Sequence, residues 1–157
     1  MFILNFRATK KKAIVAIGII LIISIFAWYF ASSGKFLLYR GEDLKDRCAY
    51  LSYLGYDAIS DSEYESEILI PEDFSDTYNE YNNKQIEAGF DLSNYKNVKA
   101  KMFTYRIDSF GKYSNVYAAL IVYDGKIIGG DISSIENKGF ILPLKTKSKN
   151  LSYLKES

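Results

Sequence analysis

The sequence predicts an α+β protein, in which an N-terminal transmembrane helix precedes a small domain of two helices packed on one face of a mostly antiparallel sheet. Residues 13–31 form an uncharged apolar run. Two segments with helical periodicity follow, at 41–54 and 72–88. Residues 101–108 then alternate between apolar and polar side chains, and two further strand candidates, 115–123 and 126–133, flank Asp124-Gly125. Helices and antiparallel strands in this order are typical of a two-layer α+β domain.

The apolar run over 13–31 is long enough for a membrane helix. At about 1.5 Å per residue, it extends roughly 28 Å, close to the ~30 Å hydrocarbon core of a bilayer. Trp28 and Tyr29 lie near its C-terminal end, where amphipathic rings favour the headgroup region. The predicted partner of this segment is therefore the lipid bilayer.

The basic residues around the run predict its orientation. Two of them, Lys35 and Arg40, lie in the first flank after it. Those before it are Arg7, Lys10, Lys11 and Lys12. This excess places segment 1–12 in the cytoplasm and the C-terminal domain outside a single-pass cell membrane. A cleaved signal peptide is the alternative, because Ala31-Ser32-Ser33 offers small residues, but the run exceeds a usual signal core.

The remaining chain divides into three parts by composition. Residues 32–40 are a linker, 41–144 an extracytoplasmic α+β domain, and 145–157 a Lys/Ser-rich tail that is predicted to be disordered. The chain has no histidine and one cysteine, which removes the usual metal ligand and excludes an internal disulfide. No metal or cofactor is predicted. Acidic residues outnumber basic ones after residue 12, which argues against nucleic acid as a partner.

The first predicted helix covers Gly41 to Leu54. Its apolar stripe is predicted to consist of Leu44, Cys48, Leu51 and Leu54. Within this stripe, Cys48 is interpreted as a small buried hydrophobe rather than a reactive thiol. Short strands are predicted at 56–60 and 67–70, and the acidic stretch 61–67 between them as a charge-protected edge rather than a calcium loop.

The second predicted helix covers Glu72 to Ala88, after Pro71. Its buried stripe is predicted to consist of Phe74, Tyr78, Tyr81 and Ala88. Gln85 interrupts this stripe with a polar side chain. Gly89 is the expected C-terminal stop, because glycine readily adopts positive φ.

Three antiparallel strands are predicted at 101–108, 115–123 and 126–133. Asp124-Gly125 between the last two is typical of a type I′ hairpin turn. The two-residue turn predicts the register, and the expected pairs on the face that receives the helices are Tyr123 with Lys126, Ile121 with Ile128, and Tyr117 with Ile132. A further short strand or loop is expected at 137–144.

One polar pair is the candidate site. Asp131 follows Gly129-Gly130 inside a strand, which is an unusual place for a carboxylate. If the strands are neighbours, Arg106 lies on the same face and forms a cross-strand ion pair with Asp131. A structural ion pair is favoured over a ligand contact. No catalytic residue is predicted.

A set of residues between Asp43 and Phe140 carries a family resemblance. The residues are Gly55, Tyr56, Ile70, Pro71, Phe74, Tyr78, Tyr81, Gly89, Phe90, Asp91, Leu92, Tyr95, Tyr105, Arg106 and the segments 122–125 and 128–132. In these positions the chain resembles the uncharacterised bacterial family called domain of unknown function 4830. The resemblance implies a small membrane-anchored domain of Gram-positive bacteria and brings no known activity.

These observations predict a membrane-anchored extracytoplasmic protein with a non-catalytic binding or protein-interaction domain. Its expected partner is a protein, a peptide or a cell-wall component. The alternatives are a secreted domain after signal-peptide cleavage and a carboxylate-dependent enzyme. An enzyme without histidine would need carboxylates or a Ser–Lys pair, and no spacing in the sequence singles out such a pair.

Overall fold

The computed structural model describes residues 18–28, 39–136 and 139–156, and the chain divides into two compact units, Met1–Leu38 and Tyr39–Ser157. In the first unit residues 18–28 are helical and are called α1. The predicted segment 1–12, residues 13–17 and 29–31 of the apolar run, and linker residues 32–38 lie outside the described residues.

The predicted transmembrane helix is contradicted. Within the described ranges, the structure contains no helix whose length and apolar character would let it cross a membrane. The predicted location and orientation stay predictions.

The second unit is α+β, and its sheet is antiparallel throughout. The sheet has five strands in the order β1-β2-β3-β4-β5. The strands are β1 (Tyr64–Leu69), β2 (Lys99–Arg106), β3 (Val116–Tyr123), β4 (Lys126–Ser134) and β5 (Phe140–Pro143). The helices are α2 (Leu44–Tyr53), α3 (Asp76–Ala88) and α4 (Lys147–Glu156), with 3-10 turns at Ser60–Ser62 and Leu92–Tyr95. In place of the predicted strand at 56–60, Ala58 forms a single bridge with Ile107.

Short polar side chains cap the N-termini of the two predicted helices. The Asp43 carboxylate accepts a hydrogen bond from the Asp46 N–H at 2.8 Å and caps α2. The Ser75 hydroxyl accepts one from the Tyr78 N–H and caps α3, which therefore begins four residues later than Pro71 suggested. At the other end, Gly89 has a φ of 93° and ends α3 as predicted.

The helices cover both faces of the sheet, so the prediction of two helices on one face is wrong. The Arg47 guanidinium of α2 lies 3.7 Å from the ring centroid of Phe103 in β2. Aromatic residues around α3 instead pack against a cluster that contains Ala100 of β2. Because successive strand residues point to opposite faces, Phe103 marks the α2 face and Ala100 marks the α3 face. The apolar run Leu120-Ile121-Val122 of β3 requires this cover on both sides, and its residues are 0%, 1% and 6% exposed.

The β3–β4 hairpin contains a bulge. Tyr123 pairs with Lys126 as predicted, but the register shifts between Ile121 and Val122. Ile121 therefore pairs with Gly129 instead of Ile128, and Tyr117 pairs with Ser133 instead of Ile132. A Cβ at Gly130 would overlap the Ala119 carbonyl oxygen, so this close approach of strands requires glycine.

The tail predicted to be disordered contains α4. Asn150 is 2% exposed, and its Nδ2 donates hydrogen bonds to the Tyr56 hydroxyl at 2.8 Å and to the Pro143 carbonyl at 2.9 Å. The Tyr56 hydroxyl in turn donates to the Lys145 carbonyl. These polar contacts attach α4 to the domain, although the segment has few apolar residues.

Candidate binding edge

The structure does not bring the predicted pair Arg106 and Asp131 together. β3 lies between β2 and β4, so the two residues are not on neighbouring strands. Arg106 is exposed and lies opposite Tyr117. Asp131 is 8% exposed and accepts a hydrogen bond from the Tyr81 hydroxyl of α3 at 2.9 Å.

Asp131 belongs to a polar contact between α3 and β4. Burial raises the pKa of its carboxyl, and the hydrogen bond from Tyr81 partly offsets this effect. One turn along α3, the Gln85 side chain is fully buried, and its Oε1 accepts a hydrogen bond from the Gly130 N–H at 2.8 Å. The polar interruption in the predicted stripe therefore faces the sheet and fixes α3 on β4.

A second polar cluster, centred on Arg47, was missed by the sequence analysis. The predicted stripe of α2 is rotated: Leu44 is 40% exposed, whereas Arg47 is 5% exposed. Burial raises the pKa of the half-buried Cys48 thiol, which disfavours the reactive thiolate form. One signal was available, because Arg47 has the same helical spacing from Leu51 and Leu54 as a buried residue would have.

All three nitrogens of the Arg47 guanidinium are hydrogen-bonded. Nε donates to the Tyr105 hydroxyl at 2.7 Å, and Nη2 donates to the Glu63 carboxylate at 3.0 Å. Nη1 donates to the carbonyls of Gly41 at 2.8 Å and Glu42 at 3.0 Å. Since Arg side chains carry their donors in a fixed planar fork, this arrangement holds each partner in a defined place.

The cluster also fixes its own charge state. Burial lowers the pKa of Arg47, but the hydrogen bonds to Tyr105 and Glu63 outweigh burial and leave the pKa raised. Burial, together with the hydrogen bond to Glu63, raises the pKa of the Tyr105 hydroxyl. The cluster is therefore a cation and a carboxylate bridged by a neutral phenol. It anchors Glu63, which immediately precedes β1, to α2 and β2.

β1 is a terminal strand, and no described residue forms a main-chain pair with its outer side. The Ile107 N–H bonds the Val116 carbonyl at 2.9 Å, so odd-numbered residues at the end of β2 pair with β3. Main-chain groups alternate in direction along an antiparallel strand, and the even-numbered residues of β2 therefore bond β1. Their partners are Tyr64, Ser66 and Ile68. The N–H and C=O groups of the remaining β1 residues, Glu65, Glu67 and Leu69, point away from the sheet.

The side chains of β1 differ between the two faces. Glu65 and Glu67 lie on the α2 face, where they form ion pairs with Lys101 at 2.7 Å and Lys99 at 3.1 Å. Exposed apolar groups accompany them. These are Tyr64 on the α3 face, 67% exposed, and Leu69 on the α2 face, 57% exposed.

A groove on the α2 face lies over β2 and the end of β3, and Glu65 is the one residue of β1 in its lining. Its volume is about 380 Å³, and its lining includes Glu65, Lys101, Phe103, Val122 and Arg47. The groove thus combines an apolar floor with charged walls.

The opposite edge of the sheet is less suited to pairing. β5 has four residues and ends at Pro143, which has no N–H to donate. The Pro143 carbonyl already accepts a hydrogen bond from Asn150 of α4. Within the described parts of the chain, β1 is therefore the edge of this sheet that offers the longer row of unpaired groups.

Neither of the two polar clusters brings two carboxylates together. Glu63 is held by Arg47, and Asp131 by Tyr81. In the described parts of the chain, no three or more Asp, Glu or Cys side chains converge as metal ligands.

Comparisons with known proteins found no matching family model, no matching curated protein and no matching solved structure. The resemblance to domain of unknown function 4830 stays a prediction.

Proposed function

We propose that the Tyr39–Ser157 unit is a non-catalytic binding domain, which takes an extended segment of a partner protein or peptide as a sixth strand along β1. The observation that carries this proposal is the outward direction of the Glu65, Glu67 and Leu69 main chain. A peptide is favoured over a cell-wall component because the unpaired groups repeat at the spacing of a peptide main chain.

The expected energetics suit a specific but modest interaction. Each added main-chain hydrogen bond contributes about 0.5–1.5 kcal/mol net, and this contribution does not depend on the partner's sequence. Specificity then comes from side chains that contact Tyr64 and Leu69. The Arg47 cluster holds the beginning of β1, so the edge is ordered before the partner binds.

A substitution at one outward-facing residue tests the proposal. Glu67→Pro removes an outward N–H and leaves the β1–β2 hydrogen bonds in place, because proline is tolerated in an edge strand. Glu67→Gln is the matched control, since it removes the charge and keeps the N–H. Peptides are selected from a random displayed library on the full chain and then titrated against both variants.

We expect the selected peptides to bind Glu67→Pro about two- to tenfold more weakly than Glu67→Gln, because one main-chain hydrogen bond of about 0.5–1.5 kcal/mol is lost. Hydrogen exchange of the natural chain should show new protection at the amides of Glu65, Glu67 and Leu69. Equal binding to both variants, or protection at another surface only, would overturn the proposal. The exchange result decides the question even if the proline variant does not fold.

A further inference from the structure

We propose that the segment that pairs with β1 alternates basic and apolar side chains, with the basic ones on the α2 face; this inference rests on the proposed function. β1 lies within the most acidic stretch of the sequence. Residues 48–83 contain nine Asp and Glu and no Lys or Arg, and β1 lies within this stretch. Two carboxylates of this stretch, those of Glu65 and Glu67, lie on β1 itself and favour a cationic partner beside them.

The register explains why the basic residues belong on the α2 face. A sixth strand places its side chains directly opposite those of β1, at Cβ separations of about 4.5–5.5 Å. On the α2 face these neighbours are Glu65 and Glu67, which are 47% and 67% exposed. Lys101 and Lys99 lie one strand further away, at about twice the spacing between strands. Lysine or arginine on the new strand would continue a ladder of alternating charge.

The α3 face of β1 favours apolar residues. Tyr64 presents an exposed ring, and Ile68 packs against the core cluster beneath α3. Side chains of the new strand on this face would cover both. Because the two faces of a strand alternate, the partner is predicted to read basic-apolar-basic-apolar along its sequence.

A second copy of the chain fits this edge less well. Antiparallel pairing of two β1 strands about Ser66 would place Glu65 of one copy directly opposite Glu67 of the other. Like charges at directly opposite positions destabilise a strand pair. The same carboxylates that attract a basic segment therefore oppose self-pairing.

Three synthetic peptides test the inference on the full chain. They have eight residues and alternate valine with lysine, threonine or glutamate. We expect the Lys–Val peptide to bind about tenfold more tightly than the Thr–Val peptide, and the Glu–Val peptide to bind most weakly, as measured by fluorescence anisotropy. Binding of the Lys–Val peptide should protect the amides of Glu65, Glu67 and Leu69 from exchange.

A charge-swapped variant provides the decisive comparison. Glu65→Lys/Glu67→Lys/Lys99→Glu/Lys101→Glu keeps the net charge and the cross-strand ion pairs but reverses the side chains next to the new strand. We expect the Glu–Val peptide to become the tightest ligand of this variant. An unchanged order of affinities would overturn the inference.

The outcomes separate this inference from the proposed function. If all three peptides bind equally and protect the β1 amides, the inference that the partner is basic would be overturned, and strand addition along β1 would be supported. Tight binding of the Lys–Val peptide without protection of those amides would reveal general attraction to an acidic surface and overturn both. Absence of edge protection with every peptide would also overturn both.

Discussion

Arg47 shows how one side chain connects three parts of the domain. Its guanidinium is buried and bonds to Glu63, Tyr105 and the carbonyl of Gly41. Replacing Arg47 by methionine keeps much of the volume but leaves the Glu63 carboxylate without its cation. Breaking a buried pair from one side costs about 3–5 kcal/mol. Since Glu63 is 25% exposed, we expect a loss near the lower end, about 3 kcal/mol, in urea-induced unfolding.

Arg106→Met is the matched control for this prediction. Arg106 is exposed, and no ion pair involving it is found in the described parts of the chain, so the same chemical change should alter the free energy of unfolding by less than about 0.5 kcal/mol. Equal losses in the two variants would show that the Arg47 cluster does not stabilise the fold.

Asp131 predicts a pH dependence of stability. Burial raises its pKa in the folded state, so the folded chain holds this proton more strongly than the unfolded chain does. Its contribution is therefore most favourable below the unfolded pKa of about 3.9, and it is lost as the pH rises toward the folded pKa. The free energy of unfolding of the natural chain, measured relative to that of Asp131→Asn, should therefore fall as the pH rises from the unfolded pKa to the folded pKa. Below the unfolded pKa this difference should stay constant.

Urea unfolding of the natural chain and Asp131→Asn between pH 3 and pH 8 measures this difference. Other acids cancel in the comparison, because both chains contain them. Tyr81→Phe removes a hydrogen bond that lowers the Asp131 pKa, so it should extend the loss to higher pH. A difference between natural chain and Asp131→Asn that does not change with pH would contradict a shifted carboxyl.

At the scale of elements, α4 is attached by hydrogen bonds more than by an apolar stripe. Asn150 Nδ2 bonds both the Tyr56 hydroxyl and the Pro143 carbonyl in a buried place. Asn150→Ala should therefore destabilise the domain by about 1–3 kcal/mol, since it leaves buried polar groups unpaired. Lys149→Ala, on an exposed neighbour, should have little effect in the same thermal or urea unfolding measurement. Similar losses in both variants would mean that helicity, rather than the Asn150 contacts, determines the result.

The sequence predicted those elements whose signals are local. Asp124-Gly125 adopts the positive φ values of a type I′ turn, 49° and 70°, and strands β2 to β4 lie within two residues of their predicted bounds. Features that depend on tertiary contacts were not predictable in the same way. The phase of α2 depends on the ion pair between Arg47 and Glu63, which is distant in sequence. α4 has little apolar periodicity, and its order depends on Tyr56.

The candidate site shows the same division between local and distant signals. The acidic stretch 61–67 was interpreted as a protected edge, and β1 is indeed a terminal strand. The sequence could not show that β3 separates Arg106 from Asp131, because strand order depends on the whole sheet. The sequence also could not show the position of the bulge, which lies near the close contact between Gly130 and Ala119.

At the scale of the whole domain, the two faces of the sheet and the β5 edge are covered, whereas the β1 edge is exposed. Helices pack on both faces of the sheet, and β5 is short and bonded to α4. The unpaired main chain is therefore concentrated along β1, inside the acidic part of the chain. Long exposed edges tend to pair with other chains unless charges prevent it. We expect the carboxylates of Glu65 and Glu67 to have this role in the present sheet.

Removing these two charges should therefore increase self-association. In Glu65→Gln/Glu67→Gln, two β1 strands can pair about Ser66 without opposed carboxylates, so the mean mass from light scattering should rise with concentration relative to the natural chain. Glu80→Gln/Glu87→Gln removes the same charge from exposed positions of α3 and should leave the mass unchanged. In Glu65→Gln/Glu67→Pro, the lost outward N–H should reduce the association again. A similar rise in mass for the α3 variant would show that net charge, rather than the β1 edge, keeps the copies apart.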